Sequence, residues 1–210
     1  MDVGRIDEGL WRWTAPHPEW SKGADWEREV GCVYWESGES VVLVDPLIPD
    51  TPRERSRFLD SLDADVERVA DPVVVLLTCR WHRRSADELA GRYGGRILAP
   101  ERSGADTSSV QPDVLIGTTA FAAGPGTDDE LVYWLPEVRS LVVGDVLLGD
   151  DHGGVRLLPE SWLSGDGGIA AVSRALEPLL ELPIERVLVS HGAPVLGGGR
   201  EALRAALHAG

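Results

Sequence analysis

Residues 72–85, with the sequence PVVVLLTCRWHRRS, decide the fold class, because they pass from a buried strand through a short loop into a helix. Residues 72–78 form a continuous apolar run of β-branched character, which is typical of a strand covered on both faces. Ser85-Ala86-Asp87-Glu88 is a capping box, which predicts that a helix begins directly after it. Residues 79–84 are therefore predicted to be a strand-to-helix loop.

The residues before this stretch predict antiparallel strands followed by a helix. Strand patterns occur at residues 10–14 (LWRWT), 31–36 (GCVYWE) and 40–46 (SVVLVDP). The Ser37-Gly38-Glu39 segment between the last two is a turn pattern, which favours a hairpin. A second capping box with proline, Thr51-Pro52-Arg53-Glu54, predicts that a helix follows the third strand.

The second half of the chain repeats this order of strands and helices. Strands are predicted at residues 96–100, 113–117, 130–136, 140–148 and 186–192. A helical face runs from Ile169 to Leu180, where Pro178 must kink or end the helix, and residues 201–207 predict a closing helix. The pattern predicts a single α/β domain over residues 1–210, a four-layer αββα sandwich with two facing sheets and helices outside.

Charge and composition exclude several classes of partner. The 210 residues carry a formal net charge of -15, and they show no Lys/Arg stripe, so nucleic acid is not expected as a partner. There is no signal-peptide pattern and no apolar run of membrane-spanning length, which predicts a cytoplasmic protein that does not enter membranes. Cys32 and Cys79 are too few for a disulfide framework and are expected to be reduced. Nothing in the sequence predicts the oligomeric state.

Several landmarks resemble those of metallo-β-lactamase-fold proteins such as the glyoxalase II-like hydrolases, over nearly the whole chain. LVDP at residues 43–46 resembles the early strand-end aspartate motif, and VVVLLT at residues 73–78 resembles the strand that leads into the metal-binding loop. LVVGDVLL at residues 141–148 is similar to the strand that carries the metal-bridging aspartate, which is then Asp145. VLVSHG at residues 187–192 is similar to the strand that ends in the last histidine ligand, which is then His191.

The loop that holds most of the family's zinc ligands is substituted in this chain. The family pattern H-x-H-x-D-H follows the threonine, whereas the sequence after Thr78 here is CRWHRR. Cys79 and Trp81 stand at the first two histidine positions, and Arg83 and Arg84 stand at the aspartate and third histidine positions. The resemblance therefore leaves only Asp145 and His191 from the family's ligand set. Because Trp and Arg cannot bind zinc, a dinuclear centre is not expected.

The substituted loop supports two interpretations without a metal. In one, Arg83 or Arg84 pairs with Asp145 and replaces the missing metal charge, while Trp81 fills the vacated cavity. In the other, both arginines lie beside the start of the helix that Ser85 caps, and with Trp81 they bind a small carboxylate or phosphate. The leading hypothesis is accordingly a homologue without a cofactor, either non-catalytic or binding a small anion.

The alternative hypothesis is a hydrolase, and it takes two forms. Cys79, His82, Asp145 and His191 have suitable donor atoms for a single zinc ion, although His82 occupies a spacer position whose side chain is expected to point away. Otherwise Cys79 is a nucleophile, with His191 as its base and Asp145 as the residue that orients His191. The resemblance implies that Asp45 stands where the family has an aspartate that orients a metal-bound histidine through a hydrogen bond. The expected partner of Asp45 in this chain is an arginine.

Overall fold

The computed structural model describes residues 1–38, 40–100, 108–109, 117–165 and 168–209. The strands are β1 (Asp2–Asp7), β2 (Leu10–Pro16), β3 (Glu29–Glu36), β4 (Val41–Val44), β5 (Val73–Leu76), β6 (Arg96–Ala99), β7 (Ser108–Ser109), β8 (Thr119–Ala122), β9 (Leu131–Leu135), β10 (Ser140–Val143), β11 (Leu147–Gly149), β12 (Val155–Leu157) and β13 (Arg186–Val189). The α-helices are α1 (Pro52–Val69), α2 (Ala86–Tyr93), α3 (Ile169–Leu176) and α4 (Gly199–His208). Short 3-10 helices span Arg80–Arg83, Glu160–Trp162 and Glu177–Glu181.

Two larger sheets and one hairpin account for the strands. The first sheet has the order β1-β2-β3-β4-β5-β6-β7 and the second the order β13-β10-β9-β8, while β11 pairs with β12. In the first sheet β2, β3 and β4 are antiparallel, as the sequence predicts, β1 adds a further antiparallel strand that was not predicted, and β4 to β7 are parallel. In the second sheet β10 and β13 are parallel. The strand predicted at residues 113–117 lies outside the described residues except for Gly117.

Three buried clusters show how the layers stack. One joins inward residues of both sheets, including Val42, Leu76, Tyr133 and Leu188, so the two sheets face each other. A second packs the first sheet against α1 and α2, and a third packs the second sheet against α3 and α4. The order is therefore helix, sheet, sheet, helix, which confirms the predicted sandwich. Burial of these apolar side chains is the main force that holds the layers together.

Helices α1 and α2 begin directly after the two capping boxes, as predicted, although neither capping box makes a side-chain bond to the helix backbone. The Thr51 hydroxyl donates to Glu54 Oε2 at 2.9 Å, and the Ser85 hydroxyl accepts the Ile48 N–H at 3.0 Å. Helix α2 ends at Gly94, whose φ of 61° suits glycine. Pro178 stands where α3 has given way to a 3-10 turn. Among the described residues, no helix has both the length and the apolarity needed to cross a bilayer.

The fold brings four strand ends to one edge of the sandwich. Asp45 follows β4 and Cys79 follows β5, and these two strands are parallel neighbours. Asp145 follows β10 and His191 follows β13, which are parallel neighbours in the other sheet. The two sheets meet here, because the Gly31 N–H donates to the Ser190 carbonyl at 2.7 Å. Loops at the carboxyl ends of adjacent parallel strands are a common place for a binding site.

Candidate metal centre

Asp145 lies at the centre of a group of potential metal ligands. Its Oδ1 is 3.2 Å from His82 Nε2 and 3.4 Å from His191 Nε2, and its Oδ2 is 4.0 Å from Cys79 Sγ. One donor atom from each of Cys79, His82 and Asp145 lies within 4.8 Å of the other two. Asp145 Oδ1 is buried, yet it accepts no hydrogen bond. Buried polar atoms normally have a partner, so this oxygen is free to bind a cation.

His82 points into the site, so the expectation that its side chain points away is wrong. The segment Arg80–Arg83 is a 3-10 turn and not an extended strand, so side chains do not alternate between two faces there. His82 is 3% exposed, and its Nδ1 lies 2.8 Å from Asp45 Oδ2 and 3.0 Å from Thr78 Oγ1. With Nδ1–H donating to the Asp45 carboxylate, Nε2 faces Asp145, where it can bind either a proton or a metal ion.

The partner of Asp45 is also not the arginine that the sequence suggested. The Asp45 carboxylate accepts the Thr78 N–H at 2.9 Å and the Thr78 hydroxyl at 2.5 Å, in addition to facing His82. Arg84 reaches only its backbone, donating to the Asp45 carbonyl at 3.1 Å. Asp45 therefore keeps the orienting position that the resemblance implies, with His82 as the imidazole that it orients.

The charges of the group are strongly coupled. Burial by itself would raise the pKa of Asp145, but the imidazoles of His82 and His191 hold it well below its ordinary value. Burial and Arg84 oppose a positive charge on His82, yet the neighbouring acidic groups of Cys79, Asp145 and Asp45 raise its pKa well above the usual range. A positive charge is therefore favoured between His82 and Asp145. A proton on His82 and a metal ion would compete for that position.

Cys79 is a better ligand than nucleophile. Its side chain is fully buried, and burial raises the pKa of the thiol to about 11. Nucleophilic cysteines are accessible and have lowered pKa values, so the Cys79 and His191 pair lacks both features of an activated thiol. A bound metal ion would instead stabilise the thiolate directly.

The two loop arginines lie away from the carboxylate that they were expected to neutralise. Arg83 forms a forked pair with Asp87 of α2, at 2.6 and 2.7 Å. Arg84 donates to the carbonyls of Gly31 and Asp45 and to the Ser190 hydroxyl. Among the described residues, the side chains in contact with the Asp145 carboxylate are His82, His191, Trp81 and Cys79, so the predicted pair between an arginine and Asp145 is not the arrangement found.

Trp81 does not fill a vacated metal cavity. Its side chain is 47% exposed, and the Arg80 guanidinium lies 4.4 Å from the centre of its ring. Its indole N–H donates to Asp145 Oδ2 at 3.1 Å. Trp81 therefore binds one carboxylate oxygen of Asp145 and forms a wall of the cleft.

Glu130 binds the backbone of Asp145, a role that was not predicted from the sequence. Glu130 is 2% exposed, and its Oε1 accepts the N–H groups of Asp145 at 2.7 Å and Val146 at 3.1 Å. Burial, with the charge of Asp145 nearby, raises the pKa of Glu130 to about 8. The signal available in the sequence was a lone carboxylate at the head of an apolar strand.

The group opens into a cleft of about 360 Å³. Its described lining is dominated by histidines, tryptophans and carboxylates, with Arg84 as its one arginine: His17, Glu19, Asp25, Trp26, Trp81, His82, Arg84, Thr127, Asp128, Glu130, Asp145, Leu158, Trp162 and His191. Arg83 is absent from the described lining. Five carboxylates and one arginine lie in this described lining, and acidic groups in a cleft favour the approach of positive charge.

Comparisons with solved structures identify the fold. A metallo-β-lactamase from Pontibacter korlensis is 20% identical, with 99% of this chain and 97% of that one covered at a TM-score of 0.67. The metallo-β-lactamase FIM-1 from Pseudomonas aeruginosa, in its mono-zinc form, is 16% identical over 99% of this chain and 93% of that one, at a TM-score of 0.69. A metallo-β-lactamase from Hirschia baltica is 16% identical, with coverages of 99% and 96% and a TM-score of 0.64.

The protein thus has the metallo-β-lactamase fold, as the resemblance in its sequence implies. A scan against protein-family models finds no match, and a search of curated proteins finds none either. Because all three identities are low, the likeness describes the fold alone, and function depends on the residues of the site.

Proposed function

We propose that this protein is a hydrolase that works with a single divalent transition-metal ion, held by Cys79, His82 and Asp145. The observation that carries the proposal is the convergence of these three donors within 4.8 Å of one another, with His82 and Asp145 in the lining of the cleft and Cys79 buried beside them. Three protein ligands and one open position are the usual composition of a catalytic zinc site.

The residues fit such an ion in chemistry as well as in distance. Thiolate, imidazole and carboxylate are all zinc donors, and this mixture favours zinc over the hard ions magnesium and calcium. Asp145 Oδ1 has no hydrogen-bond partner, and the contact of His82 Nδ1 with Asp45 orients Nε2 towards Asp145. Both atoms can therefore bind a cation. One ion is proposed because Trp81 and Arg84, which stand at family ligand positions, have no metal-binding atoms.

The chemistry that the ion supplies when bound is Lewis-acid polarisation of an ester, thioester or amide carbonyl. Around it, the chain's own residues have separate tasks. Asp45 fixes the tautomer of His82, and Trp81 holds Asp145 Oδ2. His191 lies next to Asp145 but outside the mutual 4.8 Å group, so we assign its Nε2 the role of proton acceptor during hydrolysis.

One neighbour in fold agrees with this stoichiometry, since FIM-1 was solved in a mono-zinc form. The fold therefore accommodates one zinc ion in that protein. The hypotheses of a non-catalytic homologue and of a Cys79 nucleophile compete with ours. Metal content separates the Cys79 nucleophile from it, and zinc-dependent activity separates the non-catalytic homologue.

Cobalt(II) titration tests the proposal, because a cobalt–thiolate bond gives charge-transfer absorption in the near ultraviolet. We expect about one equivalent of cobalt to bind with this absorption. Cys79→Ser should abolish the band. Cys32→Ser is the matched control, since Cys32 is an equally buried free thiol outside the cleft, and it should retain the band.

Hydrolysis is then measured on a panel of aryl esters, thioesters and lactams, with zinc restored after chelation. Activity that requires zinc and disappears in His82→Ala supports the proposal. A protein that binds no cobalt, or that binds it equally well after Cys79→Ser, would overturn the proposed site. A cobalt site without activity on any panel member would favour a non-catalytic homologue instead.

A further inference from the structure

The outer part of the cleft is built from aromatic rings that surround His191. The rings of Trp26 and Trp162 contact the imidazole edge to face, with centroids 5.4 and 6.0 Å away. His191 is 6% exposed, and its buried Nδ1 has no hydrogen-bond partner. With Trp81, which is more exposed, three indoles line the same opening. Indole faces carry the strongest aromatic attraction for a cation.

Carboxylates lie at the same opening and are not neutralised. Asp25 Oδ2 accepts the Trp162 indole N–H at 2.7 Å, which connects the loop before β3 with the 3-10 helix Glu160–Trp162. Glu19 is exposed on the same loop and also lines the cleft. Within the described part of the chain, no lysine or arginine forms an ion pair with Asp25 or Glu19. Asp128, by contrast, already has Arg80 at 3.6 Å.

Arg84 does not reverse this balance. Its two terminal nitrogens are used by the carbonyls of Gly31 and Asp45 and by the Ser190 hydroxyl. Its Nε has no hydrogen-bond partner, and its single positive charge is opposed by the carboxylates of the same described lining, Glu19, Asp25 and Asp145 among them. The potential of the outer cleft therefore attracts positive charge.

We infer that the outer cleft, formed by Glu19, Asp25, Trp26 and Trp162, binds an alkylammonium group. The ligand class is an organic cation, because aromatic faces and unpaired carboxylates together select a positive charge with an apolar surface over a hydrated metal ion. Where the proposed hydrolase function holds, the substrate is an ester, thioester or amide that carries such a group near its reacting carbonyl, and this part of the inference rests on that function.

Choline and 3,3-dimethylbutan-1-ol are a suitable pair of probes, because they have the same shape and differ in charge. Isothermal titration against the full chain, with and without zinc, should show choline binding at least about tenfold more tightly than the neutral alcohol. Glu19→Gln and Asp25→Asn should each weaken choline binding several-fold, and Trp162→Leu should weaken it about tenfold.

Two matched controls lie on the outer face of the first sheet and its helix. Trp11→Phe and Asp65→Asn alter an indole and a carboxylate in a different groove and should leave choline affinity unchanged. Equal affinity for the neutral alcohol, or unchanged choline binding in both Glu19→Gln and Asp25→Asn, would overturn the inference. Cobalt absorption reports the metal site separately. A protein that shows the cobalt band but does not bind choline rejects the cation site alone. A protein that binds choline but shows no cobalt band rejects the metal site alone.

Discussion

The Asp45 Oδ2 atom lies 2.8 Å from His82 Nδ1, and this contact orients the imidazole that faces Asp145. Asp45 has a φ of 48°, a conformation that non-glycine residues seldom adopt. Its carboxylate is fixed in turn by the N–H and hydroxyl of Thr78. The position of His82, a proposed metal ligand, therefore depends on Asp45, which is not itself a proposed ligand.

Asp45→Asn should weaken zinc binding about 10- to 100-fold, because the amide cannot accept the imidazole proton as a carboxylate does. A competition titration against a chromophoric chelator measures this. Asp60→Asn, on the exposed face of α1, is the control and should bind zinc as the wild type does. If Asp45→Asn kept wild-type affinity while folded, the orienting role of Asp45 would be rejected.

His191→Ala should lower kcat/KM for zinc-dependent hydrolysis by about 100-fold or more, since the proton acceptor is removed. Bound zinc should remain at one equivalent, because His191 lies outside the mutual group of three donors. Metal analysis of the same samples checks this. Loss of the zinc itself would show that His191 is a ligand and not a base.

Glu130→Ala should destabilise the protein by about 1–3 kcal/mol for each buried N–H left without an acceptor. The two groups concerned are the amides of Asp145 and Val146. Urea unfolding measures the change in free energy. Glu130→Gln is the matched control, because its side-chain oxygen can accept both bonds. A Glu130→Ala protein as stable as the glutamine variant would contradict the assigned role.

Stability should also fall in acid as Asp63 becomes protonated. The Arg92 side chain, with a further hydrogen bond from Tyr93, lowers the pKa of Asp63 to about 2. Since the folded pKa lies below the unfolded one, the stabilisation is present above pH 4 and is lost as pH falls towards 2. Because the pair is exposed, the effect should be about 0.5 kcal/mol or less.

Thermal unfolding between pH 5 and pH 2 checks this prediction. Asp63→Asn should have a lower melting temperature than the wild type at pH 5, and the difference should shrink as pH approaches 2. Asp60→Asn serves again as a control on the same helix. A constant difference between Asp63→Asn and wild type across this range would exclude the linkage between Asp63 protonation and stability.

The sequence by itself determined the layers of the fold and the strand ends that carry the site. Repeating patterns of apolar residues and turn residues act over short distances along the chain, so β3, β4, β5 and α2 could be predicted from them. Asp145 and His191 were placed by the resemblance of LVVGDVLL and VLVSHG to strands of the metallo-β-lactamase family, and in the structure each lies just beyond the end of a buried strand.

Only the tertiary structure decided which side chains of the loop enter the site. In the 3-10 turn Arg80–Arg83, the direction of each side chain depends on the backbone angles, and contacts with other strands fix those angles. Neither the helical nor the strand repeat of the sequence could therefore show that His82 faces inwards. Arg84, with φ of 34° and ψ of -110°, is turned towards Gly31 and Ser190, which are distant in sequence. Glu130 became important because the fold buries it behind Asp145. The side-chain directions of His82 and Arg84 and the burial of Glu130 are set by contacts between residues far apart in the sequence. A local sequence pattern therefore does not predict them.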